Sequence, residues 1–479
     1  MPVQRTMFID VYRPLCREIR HYAARPSVAE PLTKVGSGMR LYGVAAVYAA
    51  WLFSIFAVFY LMHGDEESVQ QLQFVLIGGI IPATCQILFL GIDWRGLVAP
   101  VKIWVALLLV ILLSYVAGMI DPATAPRGSE VGIPAAWSTL VYFGDVVITT
   151  AIGTLIAGCP DRRLLRSIAG LYCAFALPFL VYVDLTGQTV WGRLAANNIN
   201  PTNWGLMGLT VCLAAFARKL GVIAVSGFAV GAVTILEASS REHLLALAVV
   251  LLVIAALQFR ELNRYRLMAV VAGSCIISVA AAILLDPYIL EAIRYISSDI
   301  LLLHSTDRGI DSGFSGRTGV WVSTIDIWLK SPLTGVGFRQ HERFLPDLAA
   351  GHNAYLAMLA DTGVLGFIVY LVLLVGSLVA AWGIRDQRTG RFAVAIIVGY
   401  WVIGFFDRRA INSGNPYSLF FLICCSVALA DRSLRKTAEL YFKLVGGASN
   451  ASDRQLKSVN LRYPLRPRGS QEGDLSPQN

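Results

Sequence analysis

The sequence predicts an all-α polytopic integral membrane protein of about 12 transmembrane helices with one large periplasmic loop. Three observations carry that expectation. Apolar residues make up 56% of the 479 positions and charged ones only 15%, with a mean hydropathy of +0.62, too greasy and too long for a single soluble domain. Apolar runs close to the roughly 20 residues that an α-helical span needs recur along the chain, separated by short charged loops. A β-barrel would instead show alternation over segments of about 10 residues.

Taken in order, the spans fall at about 41 to 62, 72 to 92, 98 to 119, 137 to 158, 163 to 183, 203 to 217, 220 to 238, 243 to 259, 267 to 285, 363 to 384, 392 to 406 and 417 to 430. The sixth, eleventh and twelfth are short. The divisions that follow are a basic tail, 1–40; nine spans, 41–286; the large loop, 287–362; three spans, 363–430; and a second tail, 431–479. The first 40 residues hold seven basic side chains and no uninterrupted apolar core, which argues for a retained first span rather than a cleaved signal. The last segment mixes Arg, Lys, Ser, Pro and Gly, with no apolar period after about Leu444, and reads as disordered.

Short-loop charge sets the orientation, because Lys and Arg bias a loop toward the cytoplasm. With the N-terminus inside, the internal loops hold 12 basic residues, among them Arg162, Arg163, Arg166, Arg218, Lys219, Arg385, Arg388 and Arg391. The short external loops hold only five: Arg127, Arg193, Arg241, Arg408 and Arg409. Both termini are therefore expected in the cytoplasm and the large loop in the periplasm, which places the chain in a bacterial inner membrane. The net charge of +9 is spent on topology, not on nucleic acid. The eight cysteines lie mostly within apolar spans without a CxxC pair, so packing is their expected role.

The external arginines defy the bias that the rest of the chain obeys. Arg193 stands in WGRLAANNINPTNWG, whose Asn-rich run and Pro201 read as a capping turn into the next helix. Arg241, in LEASSREHLL, has almost no loop around it, and an ionisable group at the headgroup level is costly unless paired or used. Glu237, four residues earlier, can pair with it across one helical turn. Arg317 lies in GFSGRTGVW, ahead of an amphipathic stretch, Val320 to Trp328, suited to a membrane surface; a solvated loop arginine is the plain alternative. His352 and Asn353 stand in GHNAYLAMLADTGVLG just before a span, and His341 lies upstream in the same loop.

Several arginines at one membrane surface suit a diphosphate, because guanidinium offers paired donors matched to phosphate oxygens and keeps its charge when partly dehydrated. A nearby imidazole can take a proton from a sugar hydroxyl at neutral pH. No Asp-x-Asp motif, Walker loop or dinucleotide fingerprint accompanies them, so neither metal nor cofactor is expected.

Three stretches in this order, ASSREHLLAL, SGRTGVW…SPLTGVGF and GHNAYLAMLADTGVLG, resemble the bacterial O-antigen ligase and Wzy-type polysaccharide polymerase superfamily, including exopolysaccharide polymerases. The likeness covers roughly residues 40 to 430. It implies an inverting glycosyltransferase acting on undecaprenyl-diphosphate-linked sugar, with Arg241 and Arg317 as diphosphate-binding residues and His352 as the catalytic or acceptor-orienting histidine. Arg193, Asn353, Arg408, Arg409 and His341 complete the expected substrate-binding set. Two departures from the family pattern are Asp361, where Glu is frequent, and Glu242, where a small residue is common.

The implied partners are a lipid-linked oligosaccharide donor, a glycan or lipid A core acceptor, membrane lipids and, where one is present, a chain-length co-polymerase or export complex. Polymerase is favoured over ligase because the long basic tails resemble those of exopolysaccharide polymerases. A transporter or flippase of a lipid-linked or anionic solute is the rival from another class, although transporters place charged groups near the midplane and commonly show paired repeats. A structural role in an export complex is the third reading.

Overall fold

In the computed structural model, residues 31–61, 75–120, 135–190, 193–217, 221–259, 317–345, 352–385, 387–407 and 415–446 are described. They form two units, Met1–Ser433, which contains the site discussed below, and Leu434–Asn479, whose described part is helical.

Helices dominate: α1 Pro31–Leu61, α2 Ile80–Phe89, α3 Val98–Ile120, α4 Ala135–Ala157, α5 Leu164–Thr186, α6 Pro201–Phe216, α7 Val222–Glu237, α8 Arg241–Phe259, α9 Arg317–Lys330, α10 Ala354–Gly383, α11 Arg388–Gly404 and α12 Pro416–Gly446. A short antiparallel pair, β1 Thr189–Val190 with β2 Arg193–Leu194, links α5 to α6. Five helical stretches are long and apolar enough to cross a membrane: Gly38–Val58, Val98–Gly118, Leu164–Thr186, Ala354–Gly383 and Pro416–Leu434. The chain is a multi-pass membrane protein. Each expected span coincides with a helix except the ninth, 267 to 285, which lies outside the described residues, as does residue 127.

The three spans that read as short are the interior of the bundle. Every residue from Trp204 to Ala215 on α6 is buried, as is every residue from Tyr417 to Ala430 on α12 and nearly all of Phe392 to Tyr400 on α11. A helix that is apolar on all sides belongs in a core. Only 22% of the α3 window is buried, so its Leu109, Leu112 and Leu113 face lipid. Where α6 meets α7, a Cβ on Gly208 would strike the Gly231 carbonyl and one on Gly231 the Gly208 carbonyl. Small residues here let two backbones touch, which is how apolar helices gain contact when lipid is as apolar as their side chains.

One boundary differs from expectation. The tenth span was expected from 363, yet α10 begins at Ala354, so the end of the large loop is already helical. Asn353 starts it by accepting hydrogen bonds from the Tyr355 and Leu356 N–H groups at 3.0 Å each. The helix then breaks at Gly363, with φ 63° and ψ −170°, a conformation open essentially to glycine alone.

Candidate functional site

The break in α10 is filled by another segment of the loop. The Val336 and Gly337 N–H groups donate to the Ala360 and Asp361 carbonyls at 2.9 and 3.0 Å, and Val364 N–H donates to the Pro332 carbonyl at 2.9 Å. The SPLTGVGF and ADTGVLG stretches are therefore stitched together by backbone hydrogen bonds. Gly335 (φ 71°) and Gly363 make the seam possible: a Cβ on either would collide with the other strand's backbone. The Ser114 hydroxyl of α3 donates to the Asp361 carbonyl at 2.5 Å and ties the seam to the bundle.

Just beyond the seam, the Asp361 carboxylate Oδ1 accepts from the Gln340 N–H (3.1 Å), the His341 N–H (3.0 Å) and His341 Nδ1 (2.8 Å). It thereby holds the start of the 3-10 turn His341–Phe344, which has no cap from its own flanking side chain. His341 is 1% exposed. Burial, the largest single influence, pulls its pKa down, but the adjoining Asp361 carboxylate outweighs it and the net shift is upward. Arg339 lies 4.8 Å above the Tyr142 ring. A small apolar cluster of Ile327, Val336, Leu345 and Ala360 packs α9 onto this seam.

The arginines gather where several helices end. Arg241 is the first residue of α8, and Ser240 Oγ lies 2.6 Å from His243 Nδ1 beneath that first turn. Arg317 is the first residue of α9; its Nη1 donates to the Phe406 carbonyl at 2.9 Å, and its Nη2 lies 3.8 Å from Glu242 Oε2. Arg193, on β2, donates through Nε to the Ala238 carbonyl at the end of α7 at 2.8 Å. Glu237 shares a hydrogen bond with Asp184, and it is Glu242, next to Arg241, that faces Arg317.

His352 comes to the same end of the bundle. It is half-buried, with a left-handed φ of 45°, directly before the cap residue Asn353. Three residues after His352, Tyr355 packs 4.7 Å from Phe405 and donates to the Trp401 carbonyl at 2.8 Å. The α10 start and Arg317 thus dock on one element, the C-terminal turn of α11 at Trp401–Phe406. Arg408 and Arg409 lie outside the described residues. Among the described residues, no group of three or more His, Cys, Asp or Glu is placed to hold a metal ion.

Sequence reasoning singled out the arginines and His352 but gave no role to Asp361, Glu242 or Arg339. Two signals for Asp361 were present: its position in a helix interrupted by Gly363, and the positive-φ glycines of TGVG facing it.

A family model described as O-antigen ligase matches residues 223–371. The match supports a likeness of this region to the O-antigen ligase and Wzy-type superfamily. The match runs from the second residue of α7 into α10, so Arg241, Glu242, Arg317, His341, His352 and Asp361 all lie within it, whereas Arg193 precedes it. No curated protein matches the chain. The matched stretch, about a third of the chain, is similar to a family of membrane enzymes that act on lipid-linked glycans.

Proposed function

We propose that the protein polymerises undecaprenyl-diphosphate-linked oligosaccharide repeats at the periplasmic face of a bacterial inner membrane, with inversion at the transferred sugar. The observation that carries this reading is the opening of α8 and α9 by Arg241 and Arg317, brought together through Glu242 at one end of the bundle. Helix N-termini present unpaired N–H groups and the positive end of the dipole, and arginines there add paired donors, so the arrangement suits a diphosphate.

In the proposed step, the acceptor hydroxyl oxygen attacks the anomeric carbon from the face opposite the diphosphate. The C–O bond to phosphate breaks with its electron pair leaving on the diphosphate, and the hydroxyl proton passes to His352. Arg241 and Arg317 stabilise the charge that develops on the leaving group, with Arg193, and with Arg408 and Arg409 outside the described residues, supporting the donor. A diphosphate is a weak base and leaves without a proton, so the imidazole serves the acceptor side. His341 is too buried to touch sugar; paired with Asp361, it fixes the turn His341–Phe344 against α10.

The family description favours a second reading, transfer of a finished lipid-linked glycan to lipid A core. One experiment separates the two. A deletion strain is complemented with wild type, His352→Ala and Arg317→Ala, and its glycans are analysed with expression confirmed. Single lipid-linked repeats in both variants support polymerisation; long unligated chains support ligation. Normal glycan from both variants refutes the transferase site altogether.

A further inference from the structure

At the opposite end of the same helices lies a second basic cavity of about 590 Å³. It is lined by Arg163 and Arg166 at the start of α5 and by Arg388, the first residue of α11. The α5 helix, 23 residues and about 34 Å long at 1.5 Å per residue, runs from this cavity toward β1, the partner of the strand that carries Arg193. The two basic sites are therefore separate.

The cavity joins charge to grease. Arg163 is engaged bidentately by Asp161, at 2.6 Å between Nη2 and Oδ2 and 3.0 Å between Nε and Oδ1, which offsets its charge. Arg166 feels repulsion from both Arg388 and Arg163 and a weaker attraction from Asp161, which Arg163 already engages, and among the described residues that line the cavity none is acidic. Like charges brought together this way call for a counter-anion. Gly221 opens α7 into the cavity without a side-chain cap, so the first N–H groups of that helix add to the positive potential. Leu41, Leu171, Val222 and Ile223 supply the apolar part of the wall, to which Tyr42 and Ser167 add hydroxyl groups, and Val222 is 83% exposed. A free phosphate would have no use for that apolar wall, whereas an acyl chain would cover it.

We propose that this cavity binds the phosphate of an anionic phospholipid from the inner leaflet, with Arg166 and Arg388 on the phosphate and the lipid's chain along α1 and α7. Short-loop charge assigns this end of the bundle to the cytoplasm, the leaflet surface where basic clusters meet anionic headgroups. The charges that orient the chain then also hold a lipid between its helices.

The test uses full-length protein in mild detergent, exchanged with phosphatidylglycerol, with phosphatidylcholine, or with inorganic phosphate alone. Bound lipid is read by native mass spectrometry and the unfolding temperature by a thermal ramp. Wild type is expected to retain phosphatidylglycerol and to unfold later with it, with neither effect from phosphatidylcholine or phosphate. The Arg166→Gln, Arg388→Gln pair should weaken retention roughly 30-fold, each basic side chain near an anionic leaflet contributing about a fivefold factor. The single Arg388→Gln, at an exposed helix start, and the charge-preserving Arg166→Lys, Arg388→Lys pair guard against misinsertion, and both should weaken retention in a folded protein. Unchanged retention in folded variants overturns the site, and equal protection by phosphate alone overturns its assignment to lipid.

Discussion

Asp361 holds His341 by two routes, accepting from its backbone N–H at 3.0 Å and lying 2.8 Å from its Nδ1. One carboxylate on a transmembrane helix thereby fixes both the backbone and the ring orientation of a residue 20 positions earlier. Asp361→Ala leaves those donors buried and unmatched and should cost about 3 kcal/mol. Asp361→Asn keeps an acceptor at Oδ1 and should cost less. Unfolding temperatures of the two purified variants provide the check, and equal values would mean that a neutral acceptor recovers nothing and that the carboxylate charge carries the effect.

The same pair makes stability pH-dependent. The folded pKa of His341 lies above its ordinary value because Asp361 overrides the opposing effect of burial. The pair's contribution is thus fully present below the ordinary histidine pKa, near 6.5, and is lost as pH rises through the folded value. The difference in unfolding temperature between wild type and His341→Gln should narrow as pH is raised from 6 to 9. A constant difference would show that His341 does not titrate in the folded protein.

Arg317 divides its guanidinium between the Phe406 carbonyl and the side of Glu242. Lysine cannot serve both directions and still present a paired face to phosphate. Arg317→Lys should lower polymer formation about 100-fold, the loss typical when one stabilising donor is removed from a transferring group. Quantifying product per molecule of inserted enzyme tests this, and near-normal output would remove Arg317 from the donor site.

Glycine substitution distinguishes the seam from the surface. Gly335→Ala and Gly363→Ala meet both a left-handed backbone and the opposite strand, and the backbone strain alone costs about 1–3 kcal/mol. Both should reduce the yield of folded protein. Gly319, on α9, has open space where a Cβ would stand, so Gly319→Ala should fold normally and gain up to about 1 kcal/mol from helix propensity.

The helices were legible because twenty-residue apolar runs leave little choice in a membrane. Placing them relative to one another was not: hydropathy marked α6, α11 and α12 as weak spans, and those three form the buried centre, where neighbouring helices rather than lipid supply the contacts. At the site, Arg241, Arg317 and His352 stood out because charge is costly at that depth. Asp361 passed unnoticed as a holder of His341, since the partners are 20 residues apart and meet only when Gly363 breaks α10. Glu237, which i, i+4 spacing offers to Arg241, shares a hydrogen bond with Asp184, because α5 and α7 end side by side.

The seam between Pro332–Gly337 and Ala360–Leu365 closes a loop at its base, so the chain leaves and re-enters the bundle at one point. The described residues between are anchored to the bundle at separate points, Arg339 over the Tyr142 ring of α4 and Tyr355 on the Trp401 carbonyl of α11. On the reading proposed above, a protein built this way can vary the length and composition of the insert without altering the backbone seam at its base.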